Sequence, residues 1–507
     1  MSRISRRSVV TTGASAGLLF AAPQWATPAA AQQKAYTRYN ATSTQGKAML
    51  KIYEKAVGDM MNKIPKGDPR NWDFQWYSHW IPGPQSPWSA VVAEKTKTIQ
   101  ATYGSKPPTD PHRKLAQAMW DDCQAHGNNP NDPSQYQEPL FLPWHRYFVY
   151  YFEQIIRNVA QNADFTLPYW NYLGGPSSNR VIPPEFRVTT SPLYRSNRNP
   201  GVNAGGVIDQ GAGRTPLNSD AFNETSYIKT VSGSEVGFCP MLDSNPHGAV
   251  HVDVGNQSNM GRIPNAAGDP VFWLHHCEID RLWESWNRLP GRPNPAWPSR
   301  TFVYANGSGG AVLAPVAGAD RVALLGYQYD NYYVPPGISP AAAVSSQLLA
   351  AAPSEVKGLI DKPLMLGAAP VRAMMALPAP ALNGALTTMR LTAPAGRRNL
   401  YLVLTGIMMP EDPGDIVYHV YLDLPEGAKA TPEDPHYIGT LSFFHITVGN
   451  EHGGTHHSSA AFNVTNVVRK LQQQKGLSSQ ASVTLIPSGE SKAKEQPMVS
   501  AIELVES

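Results

Sequence analysis

The sequence predicts a mainly α N-terminal domain, a helical bundle around buried helices, followed by a C-terminal β-sandwich. Three observations carry this expectation. Residues 144–156 and 271–287 are apolar nearly all round, which a helix tolerates only when other elements enclose it. Beyond residue 400 the apolar period falls to two. Between these regions, about 336–390 is dominated by Ala, Pro, Ser and Leu and reads as a linker.

Residues 1–31 read as an export signal. Arg6-Arg7 gives a twin-arginine pattern, an uncharged stretch runs from Val9 to Ala22, and Ala29-Ala30-Ala31 supplies a small-residue cleavage site before Gln32. Pro23 and Gln24 interrupt the apolar run too early for a membrane span. A periplasmic or secreted protein is expected. Arg3, Arg6 and Arg7 are the only charged residues before Gln32, so removing them takes the 42 basic residues to 39, equal to the 39 acidic ones. With no Lys/Arg run in the remainder, neither a nucleic-acid partner nor a membrane partner is expected. Three cysteines exclude a disulfide scaffold.

Residues 32–335 form the expected helical domain, rich in Trp, Tyr and His. Its second buried helix is stopped by Pro290, and a Gly/Asn/Arg/Pro-rich loop with little periodicity covers about 189–219. Residues 391–507 form the expected sandwich, with strands at 400–404, 417–422, 440–444 and 481–486.

The histidines carry the chemistry. His247 and His251 lie four apart and share one helix face, the spacing at which two imidazoles reach one metal. A third histidine, from His275-His276 on the buried helix, would complete a three-nitrogen site. Asp280, one turn beyond His276, is placed to hold that ring's other N–H. The first half offers a parallel set: His145 on the first turn of the other buried helix, with His79, His112 and His126 upstream. Imidazole clusters without a carboxylate partner point to copper rather than magnesium, calcium or a diiron centre, and zinc fits on ligand type alone.

Phe141-Leu142-Pro143-Trp144-His145-Arg146 through Val149 and Glu153, and Asp269-Pro270-x-Phe272-Trp273-x-x-His276-x-x-x-Asp280, resemble the copper-A and copper-B signatures of the tyrosinase family, which includes catechol oxidases, polyphenol oxidases and hemocyanins. The resemblance extends over about 36–335, to a Tyr-x-Tyr at Tyr327-Gln328-Tyr329. It implies a mainly α catalytic domain around a dicopper centre, with two copper ions held by His79, His126 and His145 and by His247, His251 and His276. The signature places the last ligand four before the aspartate, hence His276 over His275; His112 is the alternative to His126. Cys123 is a candidate for the thioether that many relatives form with the second copper-A histidine, and a small buried residue otherwise.

The implied activity is oxidation of o-diphenols, with monophenols or o-aminophenols as further candidates, to o-quinones using O2. Its alternative is a hemocyanin-like dioxygen carrier. Asp243 stands where relatives carry a glutamate associated with phenol deprotonation, Gly248 replaces an asparagine next to the first copper-B ligand, and Ile263 occupies the gate position. The C-terminal region resembles the shielding domain of plant polyphenol oxidases. Phe443 and Phe444 are candidate plugs or ordinary strand aromatics, and the His-rich segment 451–457 is a candidate copper relay or a solvated loop.

Overall fold

The computed structural model describes residues 35–79, 102–103, 106–124, 140–336, 355–376, 399–408, 416–428, 430–444, 458–474, 480–490 and 496–507. The signal segment, His126, the side chain of Cys123 and the 451–457 loop lie outside the described residues.

The helical domain is built on α1 (Thr44–Asn62), α2 (Trp72–His79), α3 (Pro111–Gln124), α4 (Phe141–Ala160), α5 (Phe238–Leu242), α6 (Ala249–Val254), α7 (Ile263–Ala266) and α8 (Val271–Asn287). The Ser43 hydroxyl accepts the Gly46 amide at 2.9 Å and so caps α1. Leu50, Tyr53, Val57 and Met60 then recur at helical spacing on its buried face. Helix α4 begins three residues before the expected stretch, and α8 matches it; α8 is buried from Val271 to Trp286.

A helix enclosed on all sides must neutralise its own charges. On α8, Asp280 lies 3.1 Å from Arg38 and 2.5 Å from Arg146, Arg281 lies 2.7 Å from Glu278, and just ahead of the helix Asp269 lies 2.7 Å from Arg198.

The C-terminal region is a sandwich of two antiparallel four-stranded sheets. One has the order β8 (Ser458–Asn463), β5 (Leu400–Ile407), β10 (Ala501–Glu506), β3 (Glu355–Ile360). The other has the order β7 (Tyr437–Leu441), β6 (Val417–Leu422), β9 (Gln480–Ser488), β4 (Val371–Ala376). Strands β3 and β4 fall inside the segment expected to be linker, so the sandwich takes in residues well before 391. Both are edge strands with one buried face, and their Ala- and Gly-diluted sequences hide the alternation. The expected strand at 440–444 ends instead at Leu441, which leaves Phe443 and Phe444 beyond the ladder.

Leu400, Leu402 and Leu404 face the sandwich core, while Tyr401 and Val403 meet Val231 and Val236 of a helical-domain hairpin, β1 (Lys229–Val231) and β2 (Ser234–Val236). Burial on both faces explains why β5 is continuously apolar from Leu400 to Leu404. Glu224 seals this junction, accepting from Asn463 Nδ2 at 2.7 Å, Tyr401 O–H at 2.7 Å and Asn399 Nδ2 at 3.4 Å. Among the described residues, no helix is long and apolar enough to cross a membrane.

Candidate metal centre

Five of the six expected ligands lie in the described residues, and the fold brings all five together. His79 ends α2 and His145 sits in the first turn of α4; their Nε2 atoms are 3.4 Å apart. His247 closes a widened turn over Asp243–Gly248, kinked at Asn245, that runs into α6, where His251 follows. His251 Nε2 lies 3.1 Å from His247 Nε2 and 3.4 Å from His276 Nε2. His145 and His276 stack at 4.4 Å and join the two groups. All five are buried.

The main chain sets the tautomers. His145 Nδ1 donates to the Phe141 carbonyl at 2.9 Å, His251 Nδ1 to the Met260 carbonyl at 3.0 Å and His247 Nδ1 to the Asp243 carbonyl at 3.3 Å. A carbonyl can only accept, so each Nδ1 carries the proton and each Nε2 presents a lone pair. Lone pairs facing one another at such separations repel unless a cation lies among them. The spacing is that of imidazoles sharing one ion at roughly 2.0–2.1 Å. The donor set therefore fits a metal that favours imidazole, as copper does.

His275 belongs to the same group: His247, His251, His275 and His276 each place a nitrogen within 4.8 Å of the others. Its Nδ1 is 3.0 Å from the Tyr172 hydroxyl, and its ring stacks on His247 at 5.3 Å. Burial, and then the neighbouring histidines, push His275 and His276 well below the usual imidazole range, which keeps both rings in the neutral, ligating form.

One expectation changes. Asp280 does not hold His276: its carboxylate receives Arg146, Arg38, Tyr327 and Tyr329, and His276 Nδ1 has no hydrogen-bond partner. Those donors are cations and phenols stronger than a neutral imidazole, and they saturate the carboxylate. Burial raises Asp280, but Arg146 and Arg38 with the two phenols hold it below the usual carboxylate range. The Asp243 carboxylate turns to His247, with Oδ1 2.7 Å from His247 Nδ1.

Gly248 is buried in ordinary helical conformation (φ −61°), so the backbone makes no demand for glycine there. Ile263 is half-buried at the start of α7, three residues after the carbonyl that holds His251. His112, in the first turn of α3, interacts electrostatically with Asp68 and Asp110 and is not part of the imidazole group.

Sequence reasoning did not single out the aromatic walls. Phe272 lies 4.1 Å from the His276 ring and 5.0 Å from His79, and Phe141 lies between His145 and His247 at 4.8 and 4.7 Å. Both stand inside the two histidine motifs, which was the available signal. From the sandwich, Phe444 reaches the centre and stacks on His251 at 4.3 Å.

Residues 69–289 match the family described as the common central domain of tyrosinase, and residues 353–506 match a domain of unknown function. A tyrosinase of Hahella sp. is 32% identical over 332 residues, covering 58% of this chain and 63% of that protein. Aureusidin synthase of Antirrhinum majus is 26% identical over 359 residues, 60% of each chain. The chain thus spans about three-fifths of the length of these relatives. Latent aurone synthase has the same fold (TM-score 0.62, 20% identity, 94% of this chain and 90% of that one), as does latent apple tyrosinase (TM-score 0.60, 18% identity, 94% and 98%). Residues 69–289 thus match a tyrosinase central domain, and the chain is similar to a bacterial tyrosinase and to plant aureusidin synthase.

Proposed function

We propose that this chain is a copper-dependent oxidase that converts o-diphenols to o-quinones with O2. The observation that carries the reading is the convergence of five buried imidazoles whose Nε2 atoms face one another in two groups joined by the His145–His276 stack. His79 and His145, with His126, would hold one copper ion, and His247, His251 and His276 the other. Bound there, the copper pair supplies O2 binding and accepts two electrons from the diphenol, which also loses two protons.

The chain's own residues orient and exclude. Carbonyl-held Nδ1 protons fix the rings of His145, His247 and His251, and the walls of Phe141 and Phe272 keep water from the Nε2 face. The Asp243 carboxylate is drawn to His247 and Gly248 offers no side-chain amide, which favours diphenol oxidation over monophenol hydroxylation. Phe444 occupies the approach to His251 and His247, so the sandwich acts as a shield that keeps the enzyme latent. Residues 1–31 direct twin-arginine export to the periplasm or beyond.

Oxygen uptake by the copper-loaded protein tests this. Catechol is expected to drive continuous uptake and quinone colour, and a matched monophenol much less. Stoichiometric, reversible O2 binding without turnover would establish the hemocyanin-like alternative instead.

A further inference from the structure

The rings around the histidine centre differ in one chemical respect. Phe141, Phe148 and Phe272 resist one-electron oxidation, whereas tryptophan and tyrosine yield to it. Among the described residues, Trp144 is the oxidisable ring that meets both His145 (4.8 Å between centroids) and His79 (6.0 Å). Trp144 then meets Tyr304 at 5.8 Å, Tyr304 stacks on Tyr151 at 5.2 Å and 24°, and Tyr151 meets Tyr150 at 5.1 Å. Trp144 and Tyr304 are fully buried, while Tyr150 and Tyr151 are half-exposed. The line of rings therefore runs from the histidines to solvent. The other oxidisable ring at the centre, Tyr172 against His275, leads to Trp170, which is itself buried.

We propose that Trp144, Tyr304 and Tyr151 form an electron relay that drains oxidising equivalents from the histidine centre to the surface when no phenol is bound. The inference rests on the copper-oxidase reading. Its value is protective, because an oxidant left without substrate attacks its own ligands. Proton placement supports the direction of flow. The Tyr304 hydroxyl donates to the Trp144 carbonyl at 2.8 Å, a poor base, so a hole on Tyr304 has nowhere to leave its proton and moves on. Tyr151 reaches water and can shed its proton there. Burial, with the neighbouring Tyr150, pushes its phenol up to about 12, so it rests fully protonated.

The step balances as one electron and one proton. Trp144 gives an electron to the oxidised centre, Tyr304 refills Trp144, and Tyr151 refills Tyr304 while releasing its phenolic proton to water. The Tyr151 radical is then quenched by one electron and one proton from a diffusible phenol or an ascorbate-type reductant.

The test mixes copper-loaded, chemically reduced full-length protein with O2 in the absence of phenol, freezes it within milliseconds and records its electron paramagnetic resonance. A tyrosyl signal is expected that narrows when ring-deuterated tyrosine is incorporated. Repeated O2 cycles should place oxidation on the peptide carrying Tyr150 and Tyr151. Y304F keeps the ring and its packing but removes the redox-active phenol. It should lose the signal, shift oxidative damage to Trp144 and His145, and inactivate after several-fold fewer catechol turnovers, with an unchanged initial rate and melting temperature. Equal radical yield in Y304F, or no radical in protein that oxidises catechol, would overturn the relay alone. Absence of catechol oxidation would overturn the enzyme reading and the relay with it.

Discussion

The ring of Phe444 lies on the ring of His251, their centroids 4.3 Å apart and their planes within 17° of parallel. One residue of the sandwich thus covers a histidine of the other domain. Phe444→Ala is expected to raise diphenol oxidation several-fold, most for bulky diphenols, at unchanged copper content. Phe444→Leu, which still fills the space, should stay close to the parent rate. Equal rates for all three proteins would remove Phe444 as the plug.

His275 and His276 are adjacent, and His276 brings its Nε2 to 3.4 Å from His251 Nε2 and stacks on His145. His276→Ala should lower tightly bound copper by about half, as read by elemental analysis. His275→Ala should leave it near the parent level, since its Nδ1 is engaged by Tyr172. The reverse pattern would exchange the two assignments.

Asp280 sits between Arg38 and Arg146 with all three side chains buried. Asp280→Asn removes the charge that both guanidinium groups share, leaving Arg38 with Glu153 at 2.9 Å and Arg146 with Glu284 at 3.8 Å, and a loss of about 3 kcal/mol, the lower end for a broken buried pair, is expected in denaturant unfolding. Because the folded-state pKa is depressed, the carboxylate's contribution is fully present above its unfolded value of roughly 3.9 and fades as pH falls through the lower folded value. The gap between parent and variant should therefore narrow in acid.

Glu224 binds Asn463, Asn399 and Tyr401 across the domain junction. Glu224→Ala strands the buried Tyr401 hydroxyl and removes the acceptor of two part-buried asparagine amides, at a cost of about 1–3 kcal/mol, and loosens the sandwich. Higher diphenol oxidation without any change at Phe444 is the expected readout. Unchanged activity together with unchanged unfolding would show that the Val231, Val236, Tyr401 and Val403 contacts hold the sandwich alone.

Local chemistry was legible in the sequence and long-range placement was not. Helix α8 announced itself by an apolar circumference, and His247 and His251 by their spacing of four. Residues 355–376 were hidden because an edge strand buries one face and needs few large side chains. The Phe444 approach depends on how two separately folded layers dock, which no periodicity encodes. Asp280 shows a subtler failure: its spacing to His276 was right, but two arginines far apart in sequence, Arg38 and Arg146, outcompete the imidazole for the same carboxylate. For His126, sequence reasoning stands by itself.

The carbonyls of Phe141, Asp243 and Met260 fix the protons of His145, His247 and His251. A carbonyl is present whatever side chain a position bears. Substitution at Phe141 or Met260 can reshape the walls of the centre but cannot delete the acceptors that aim His145 and His251, whereas at Asp243 it would keep the carbonyl and remove the carboxylate 2.7 Å from His247 Nδ1. The side chains around the centre are thus free to diverge while the ring geometry of His145 and His251 is carried by the path of the backbone.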